Sequence, residues 1–411
     1  MENAIKKPTS LRLFLAALGS FMLLFSSAIV SNSTSYYIVA VTEELGITRA
    51  EFSIYYTLVS IFTAVGSVTC SAVLNKIGLR KAFLVATILV PAGFVVLSQL
   101  NALWMIYLAA ILIGFGQAFI LAPPVKVVND WFPDKHNGLV MGITMAGTGA
   151  GGIIVAQVLP RVVANVSFRT GYIISAIAFA AFCLIANLLC GGKSPYAVEE
   201  AAPADGKKSA KKDASYAKNI ASAAFILFVL SCVLKCFSAV FNQHFSAHLQ
   251  ENFSVEQVAT AMTVFNIALL CCKTAQGVLY GKLGPKIMLG LVFLTSFAYL
   301  GWTSANYTVV LISTVFVMFC CSTETAMYPL FLGEMFGKKF SGAAWGICWA
   351  SLYLGNALGA VIWGAIYDKF GTYNVGLRFQ PVMIGVICAI ILACLTIAKK
   401  QKLNPELSEK A

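Results

Sequence analysis

The sequence predicts an all-α membrane protein with twelve transmembrane helices in two parallel six-helix halves, and three observations carry that expectation. The first is composition. Of 411 residues, 59% are hydrophobic and 11% charged, with mean hydropathy +0.81, whereas ordinary globular domains run about 45–50% apolar and about 25% charged. The second is that apolar stretches of bilayer-crossing length, about 20 residues each, recur along the whole chain. The third is that lysine and arginine gather on alternate connections. A soluble enzyme does not fit this pattern.

The segments follow in order. The first, 11–38, comes after Lys6, Lys7 and Arg12 as in a signal peptide, but it continues without a small-residue cleavage site and is expected to be a retained span. Five more fall at 52–74, 82–100, 103–125, 138–160 and 170–190. The second set of six falls at 219–245, 257–280, 287–304, 308–332, 343–366 and 381–398. Between the sets, the stretch "EEAAPADGKKSAKKDASYAK" is charged and rich in Ala and Pro, and it cannot bury a core. The expected division is therefore an N-terminal half over 1–190, a cytoplasmic linker over 191–218 and a C-terminal half over 219–411.

The net charge is +12, and in so apolar a chain it bears on orientation. With the N-terminus in the cytoplasm, 21 basic residues fall on cytoplasmic segments, against five on the other side: Arg49, Arg161, Arg169, Lys369 and Arg378. Basic residues near span ends resist translocation, so both termini are expected inside, in the cytoplasmic membrane. No basic stripe interleaved with exposed aromatics suggests nucleic acid. The twelve cysteines lie in apolar stretches without repeated Cys-x-x-Cys spacing, so no metal or cofactor is expected.

The halves repeat in the same direction. "LNKIGLRK" (Leu74 to Lys81) matches "YGKLGPK" (Tyr280 to Lys286), each leaving the second span of its half. Asp130, Phe132, Gly138, Gly142 and Gly151 likewise match Glu334, Phe336, Gly342, Gly346 and Gly355. Parallel six-span repeats of this kind resemble the major facilitator superfamily, whose substrate site lies near the bilayer midplane. Within it, "TEELGITRAEFS" (Thr42 to Ser53) and "WFPDKHNGLVMGITMAGTGAGG" (Trp131 to Gly152) are similar to the monocarboxylate and oxalate/formate exchanger branches. The resemblance makes Asn75, Lys76, Arg80, Lys81, Lys282 and Lys286 gating-loop residues. Asn75 stands where the superfamily usually has Asp, and its counterpart here is Gly281.

Gly147, Gly149 and Gly152 satisfy the dinucleotide pattern GxGxxG. That pattern needs a preceding strand and an acidic residue about 20 positions on, and no Asp or Glu occurs from Lys135 to Val198. Close helix packing is the better reading. His244 and His248 are spaced for one helix face at the end of span seven; a polar interfacial end or proton sensing suits them better than a metal, for which no third ligand is evident.

Charges inside spans are more informative. Lys235 falls near the middle of span seven, Lys273 in span eight and Glu324 near the middle of span ten. A charge at a helix centre costs about 2.5–3.5 kcal/mol on insertion scales, so such residues face water, a ligand or one another. A fixed ion pair locking the helices is the structural alternative. By the resemblance, spans seven and ten both line the central cavity, and Lys273 takes the place of a substrate-binding arginine, keeping the cation without its planar fork. The oxalate-type second cation of span eleven and the lactate-type aspartate, here Leu269, are both absent.

Two lysines against one glutamate leave a surplus positive charge that one carboxylate would balance. The expected function is secondary transport of a small organic carboxylate by alternating access, with no enzymatic activity. Glu324 serves proton coupling in symport, or stays ionised while anions are exchanged. Asn32, Tyr36, Gln117, Asn266 and Trp349 are further substrate-binding candidates, and Tyr328 a lesser one. The expected partners are the anion, a proton or counter-anion and the lipid bilayer, with a monomer as the working unit. A non-transporting sensor of a small acid on the same fold is the alternative, motivated by Asn75 and Gly281.

Overall fold

A computed structural model describes residues 9–121, 123–132, 137–190 and 218–404. Fifteen α-helices account for nearly all of them. They are α1 (Ser10–Ser33), α2 (Ile38–Leu45), α3 (Arg49–Ser98), α4 (Leu103–Leu121), α5 (Pro123–Trp131), α6 (Asn137–Asn165), α7 (Phe168–Cys190), α8 (Ala223–Ala239), α9 (Asn242–Gln250), α10 (Val255–Ser296), α11 (Tyr307–Cys321), α12 (Thr323–Ala326), α13 (Tyr328–Phe336), α14 (Lys338–Phe370) and α15 (Asn374–Lys400). Tight 3-10 turns occupy Thr34–Tyr36 and Phe297–Thr303, and no strand occurs among the described residues.

Ten of the described helical stretches are long and apolar enough to cross a membrane. One of these, Val255–Thr303, carries two of the apolar segments read from the sequence, and the segment 52–74 lies on α3 outside the ten. α3, at 50 residues, breaks at Gly78 (φ 78°, ψ 166°), and α10, at 42 residues, breaks at Gly284 (φ 75°, ψ 170°). Both breaks need the left-handed φ that glycine adopts without a Cβ penalty. They occur at matched positions of the repeat found in the sequence, so the repetition extends to the backbone angles. The linker over 191–217 lies outside the described residues.

The described residues fall into two compact units, one drawn from Met1–Glu199 and Gln243–Asn266, the other from Glu200–Asn242 and Ile267–Ala411. In the first unit α1 packs along α6 and α7, and α3 along α4 and α7. Glycines allow the close approach. A Cβ on Gly147 would meet the Phe21 carbonyl, and one on Gly151 the Phe25 carbonyl, so the glycine run of α6 serves helix packing. Serines in α1 satisfy themselves on their own helix: Ser20 donates to the Ala16 carbonyl (2.9 Å) and Ser26 to that of Leu23 (2.7 Å). Inside a bilayer no water would satisfy them otherwise.

At the start of α3, Thr48 and Glu51 cap each other reciprocally: Glu51 N–H donates to Thr48 Oγ1 (3.1 Å) and Thr48 N–H to Glu51 Oε2 (2.8 Å). The Thr48 backbone donor, followed by its hydroxyl, holds the Glu51 carboxyl below its ordinary range. Nearby, Arg49 Nη1 reaches Glu251 Oε1 at 2.9 Å, and His248 Nδ1 lies 3.7 Å from Glu251 Oε2. His244 and His248, near the end of the apolar Ala223–Gln250 stretch, are both buried. The Tyr56 hydroxyl, which donates to the Gln243 carbonyl at 3.2 Å, packs α9 against α3.

In the second unit α8 packs on α14 and α15. Gly355 and Gly359 of α14 face it directly, against the backbone of Val233 and of Phe237. Gly355→Ala is expected to destabilise by about 1–3 kcal/mol through overpacking, seen as a lower melting temperature in detergent. Gly346→Ala on the same helix, where a Cβ meets nothing within 4 Å, is the matched control and is expected to leave stability unchanged or slightly raised.

Candidate functional site

Three helical segments within the second unit, one of them the part of α10 from Ile267 onward, carry the three charges of the apolar spans. Lys235 sits on α8, Lys273 on α10 and Glu324 on the short α12. α12 is a four-residue turn, set off from α11 at Ser322 and from α13 at Met327, with a proline in the first turn of α13. Pro329 lacks the N–H that a continuous helix would use there. Interruptions of this sort survive at membrane depth where protein or a wet cavity takes up the freed polar groups.

Two long-range hydrogen bonds set the distances between these helices. The Tyr328 hydroxyl donates to the Ser231 carbonyl at 3.1 Å, fastening α13 to α8 one turn before Lys235. Gln276 Nε2 donates to Thr323 Oγ1 at 3.3 Å and also to the Phe319 carbonyl, fastening α10 to the α11–α12 corner one turn after Lys273. Thr323 in turn donates to the Cys320 carbonyl at 2.7 Å. As a result Glu324 lies within electrostatic reach of both Lys235 and Lys273, with the Cys236 thiol beside its carboxyl.

The cluster is not self-satisfied. Lys235 is 1% exposed, and its Nζ has no hydrogen-bond partner; Oε2 of Glu324, also buried, has none. Lys273 and the Glu324 residue as a whole are half-buried. A buried ammonium without a partner costs several kcal/mol, so a closed, permanent Lys–Glu lock does not describe this arrangement. The thiols of Cys236, Cys320 and Cys321 surround Lys235 and are weak acceptors.

The other candidates divide between the units. Trp349 belongs to the second, on α14. In the first unit Asn32 and Asn266 meet at Gly152, where a Cβ would collide with both amides, and Asn266 Nδ2 donates to the Met262 carbonyl at 2.8 Å. Gln117 Nε2 donates to Ser31 Oγ at 3.2 Å. Tyr36 is 1% exposed, and its hydroxyl has no partner. Tyr328 is a positioning residue through its bond to Ser231. Lys76, Arg80, Lys81, Lys282 and Lys286 are exposed around the Gly78 and Gly284 breaks; Asn75 lies on the α3 backbone there. No group of three or more His, Cys, Asp or Glu side chains is placed to hold a metal among the described residues.

Sequence reasoning missed Gln276, Thr323, Ser231 and Cys236. Gln276 had a usable signal, being a polar residue in the same apolar segment as Lys273 and one helical turn from it. The others are small residues, common at helix contacts in membranes, and carry no distinguishing pattern.

The Major Facilitator Superfamily model matches residues 16–245 and 223–411. Over 398 residues the chain is 21% identical to the hexuronate transporter of Bacillus subtilis, covering 91% of each protein. It is 26% identical over 147 residues to monocarboxylate transporter 12 of Mus musculus, covering 33% of this chain and 30% of that one. It is 34% identical over 120 residues to the MFS-type transporter hasB of Aspergillus fumigatus, spanning 29% of this chain and only 26% of that relative's length. Among solved structures, the nucleoside transporter NupG superposes with a TM-score of 0.75 at 12% identity, over 94% of this chain and 100% of that one. That likeness concerns the fold. With one family model matched in each half and a helical fold of the same kind, the chain belongs to the Major Facilitator Superfamily and is a multi-pass membrane transporter, not an enzyme.

Proposed function

We propose that the protein carries a small organic carboxylate anion by alternating access, as a monomer in the cytoplasmic membrane with both termini inside. One observation supports this above the others: two lysines and one glutamate gather in the membrane interior with Nζ of Lys235 and Oε2 of Glu324 unpartnered. A bound monoanion would complete that charge set, and the charge-assisted hydrogen bonds it accepts are the strong ones. The hexuronate and monocarboxylate transporters among the relatives carry names of the same chemical class. Lys235 and Lys273 are the proposed anion ligands, with Trp349 of the same unit as a lesser group; in the first unit Asn32, Tyr36, Gln117 and Asn266 are the proposed polar candidates for substrate contact. Glu324 is the proposed proton carrier, its carboxylate otherwise being the fixed counter-charge of an anion exchanger. The loops at Gly78 and Gly284 are the proposed gates.

The test is uptake of labelled mono- and dicarboxylates into liposomes containing the purified chain. Saturable accumulation of a monocarboxylate, at least about tenfold above empty liposomes, is the expected result. Binding without accumulation would make the protein a sensor. Uptake of neutral solutes alone would overturn the anion reading.

A further inference from the structure

α14 presents two different faces beside the charged cluster. Ile347, Leu354 and Leu358 form an exposed aliphatic stripe, 39%, 53% and 50% accessible, with the spacing of a lipid-facing helix side. Trp345, Trp349 and Tyr353 form a second stripe at four-residue intervals. Their rings follow one another, with centroids 5.9 Å apart from Trp345 to Trp349 and 5.9 Å from Trp349 to Tyr353, the latter pair stacked. Trp349 comes two residues after Ile347, about half a turn around the helix. It nevertheless stays 40% exposed, a large indole surface left uncovered on the side away from the aliphatic stripe.

The helix that carries this ladder packs against the helix that carries Lys235. Tyr353 is in electrostatic range of Cys236, the residue that follows Lys235 on α8. One turn further along α14, Gly355 and Gly359 bring the helix onto the Val233–Phe237 turn of α8, the turn that carries Lys235. The same unit therefore places an open aromatic face on the helix that packs against the Lys235 turn of α8.

We propose that the substrate is an aromatic monocarboxylate, its ring on the Trp345–Trp349–Tyr353 ladder and its carboxylate at Lys235 and Lys273. This rests on the anion-carrier reading and narrows it. Stacked or edge-on ring pairs contribute beyond simple area burial, so the ladder distinguishes a π face from a saturated ring of the same size. An aromatic face also attracts cations, but two lysines against one carboxylate repel them here.

The experiment titrates the purified full-length chain in detergent with benzoate and with cyclohexanecarboxylate, following thermal stability. These acids share the carboxylate and ring size and differ in the π face. Benzoate is expected to half-saturate at about three- to tenfold lower concentration, with Trp349→Ala erasing that preference and Trp349→Phe restoring part of it. Equal half-saturation in the unmodified chain would overturn the aromatic assignment and leave acid binding intact. No shift with either acid, together with no acid uptake in liposomes, would overturn the anion reading itself. Tighter binding of benzyltrimethylammonium than of benzoate would overturn both.

Discussion

Lys273→Gln is expected to bring carboxylate uptake down to the level of empty liposomes while the protein still purifies as a monodisperse species with a near-native melting temperature. A hydrogen bond to a charged group contributes about 1.5–3 kcal/mol, about ten- to a hundredfold in affinity at 1.4 kcal/mol per decade. The substitution also removes the site's surplus charge, leaving Lys235 and Glu324 to neutralise each other. An incoming anion would then be poorly compensated in the membrane interior. Because Lys273 is half-buried, glutamine fits its place without a cavity, so the fold should persist. Lys369→Gln, at the exposed end of α14, is the control for a general charge effect. Unchanged uptake by the Lys273 variant would remove that residue from the site, and equal losses in both variants would assign the effect to overall charge.

Glu324→Gln is expected to separate proton coupling from anion movement. The amide keeps the size and polar character of the side chain but cannot carry a proton between the two sides. In a symporter, accumulation driven by an imposed pH gradient should disappear, a loss of at least about tenfold, while exchange of internal for external acid continues. The measurement is labelled-acid uptake with and without the gradient, alongside counterflow with preloaded liposomes. Full gradient-driven accumulation by the variant would end the coupling role for Glu324. Loss of counterflow as well would make its carboxylate the fixed counter-charge that orients Lys235 and Lys273, the arrangement an anion exchanger requires.

Much of the fold was legible in the sequence because the bilayer imposes a local rule. Each crossing needs about 20 apolar residues whose backbone groups are satisfied within the helix, and that can be read segment by segment. The matched loops "LNKIGLRK" and "YGKLGPK" likewise announced the twin breaks at Gly78 and Gly284, since a positive φ selects glycine at both. The interruption of span ten was less visible. One apolar stretch over 308–332 is three helices in the structure, and Pro329 was the single local sign of it.

The candidate site was half legible. Lys235, Lys273 and Glu324 stand out by type because charge is rare at membrane depth, yet nothing local says whether they meet. Spacing placed His244 and His248 on one helix face, but did not reveal that both are buried, with Tyr56 of α3 against the His244 ring. The aromatic run of α14 could be read as a four-residue spacing, while its exposure could not.

Sequence alone located the apolar segments, their repetition, and which ionisable residues lie among them, since all of these follow from hydropathy and backbone constraints over short windows. Tertiary structure decided that the three charges share one unit and that two of their polar atoms stay unpartnered. That outcome depends on contacts such as Tyr328 to Ser231 and Gln276 to Thr323, between residues 97 and 47 apart in the chain. Helix docking brings such residues together, and no short window of sequence contains both partners.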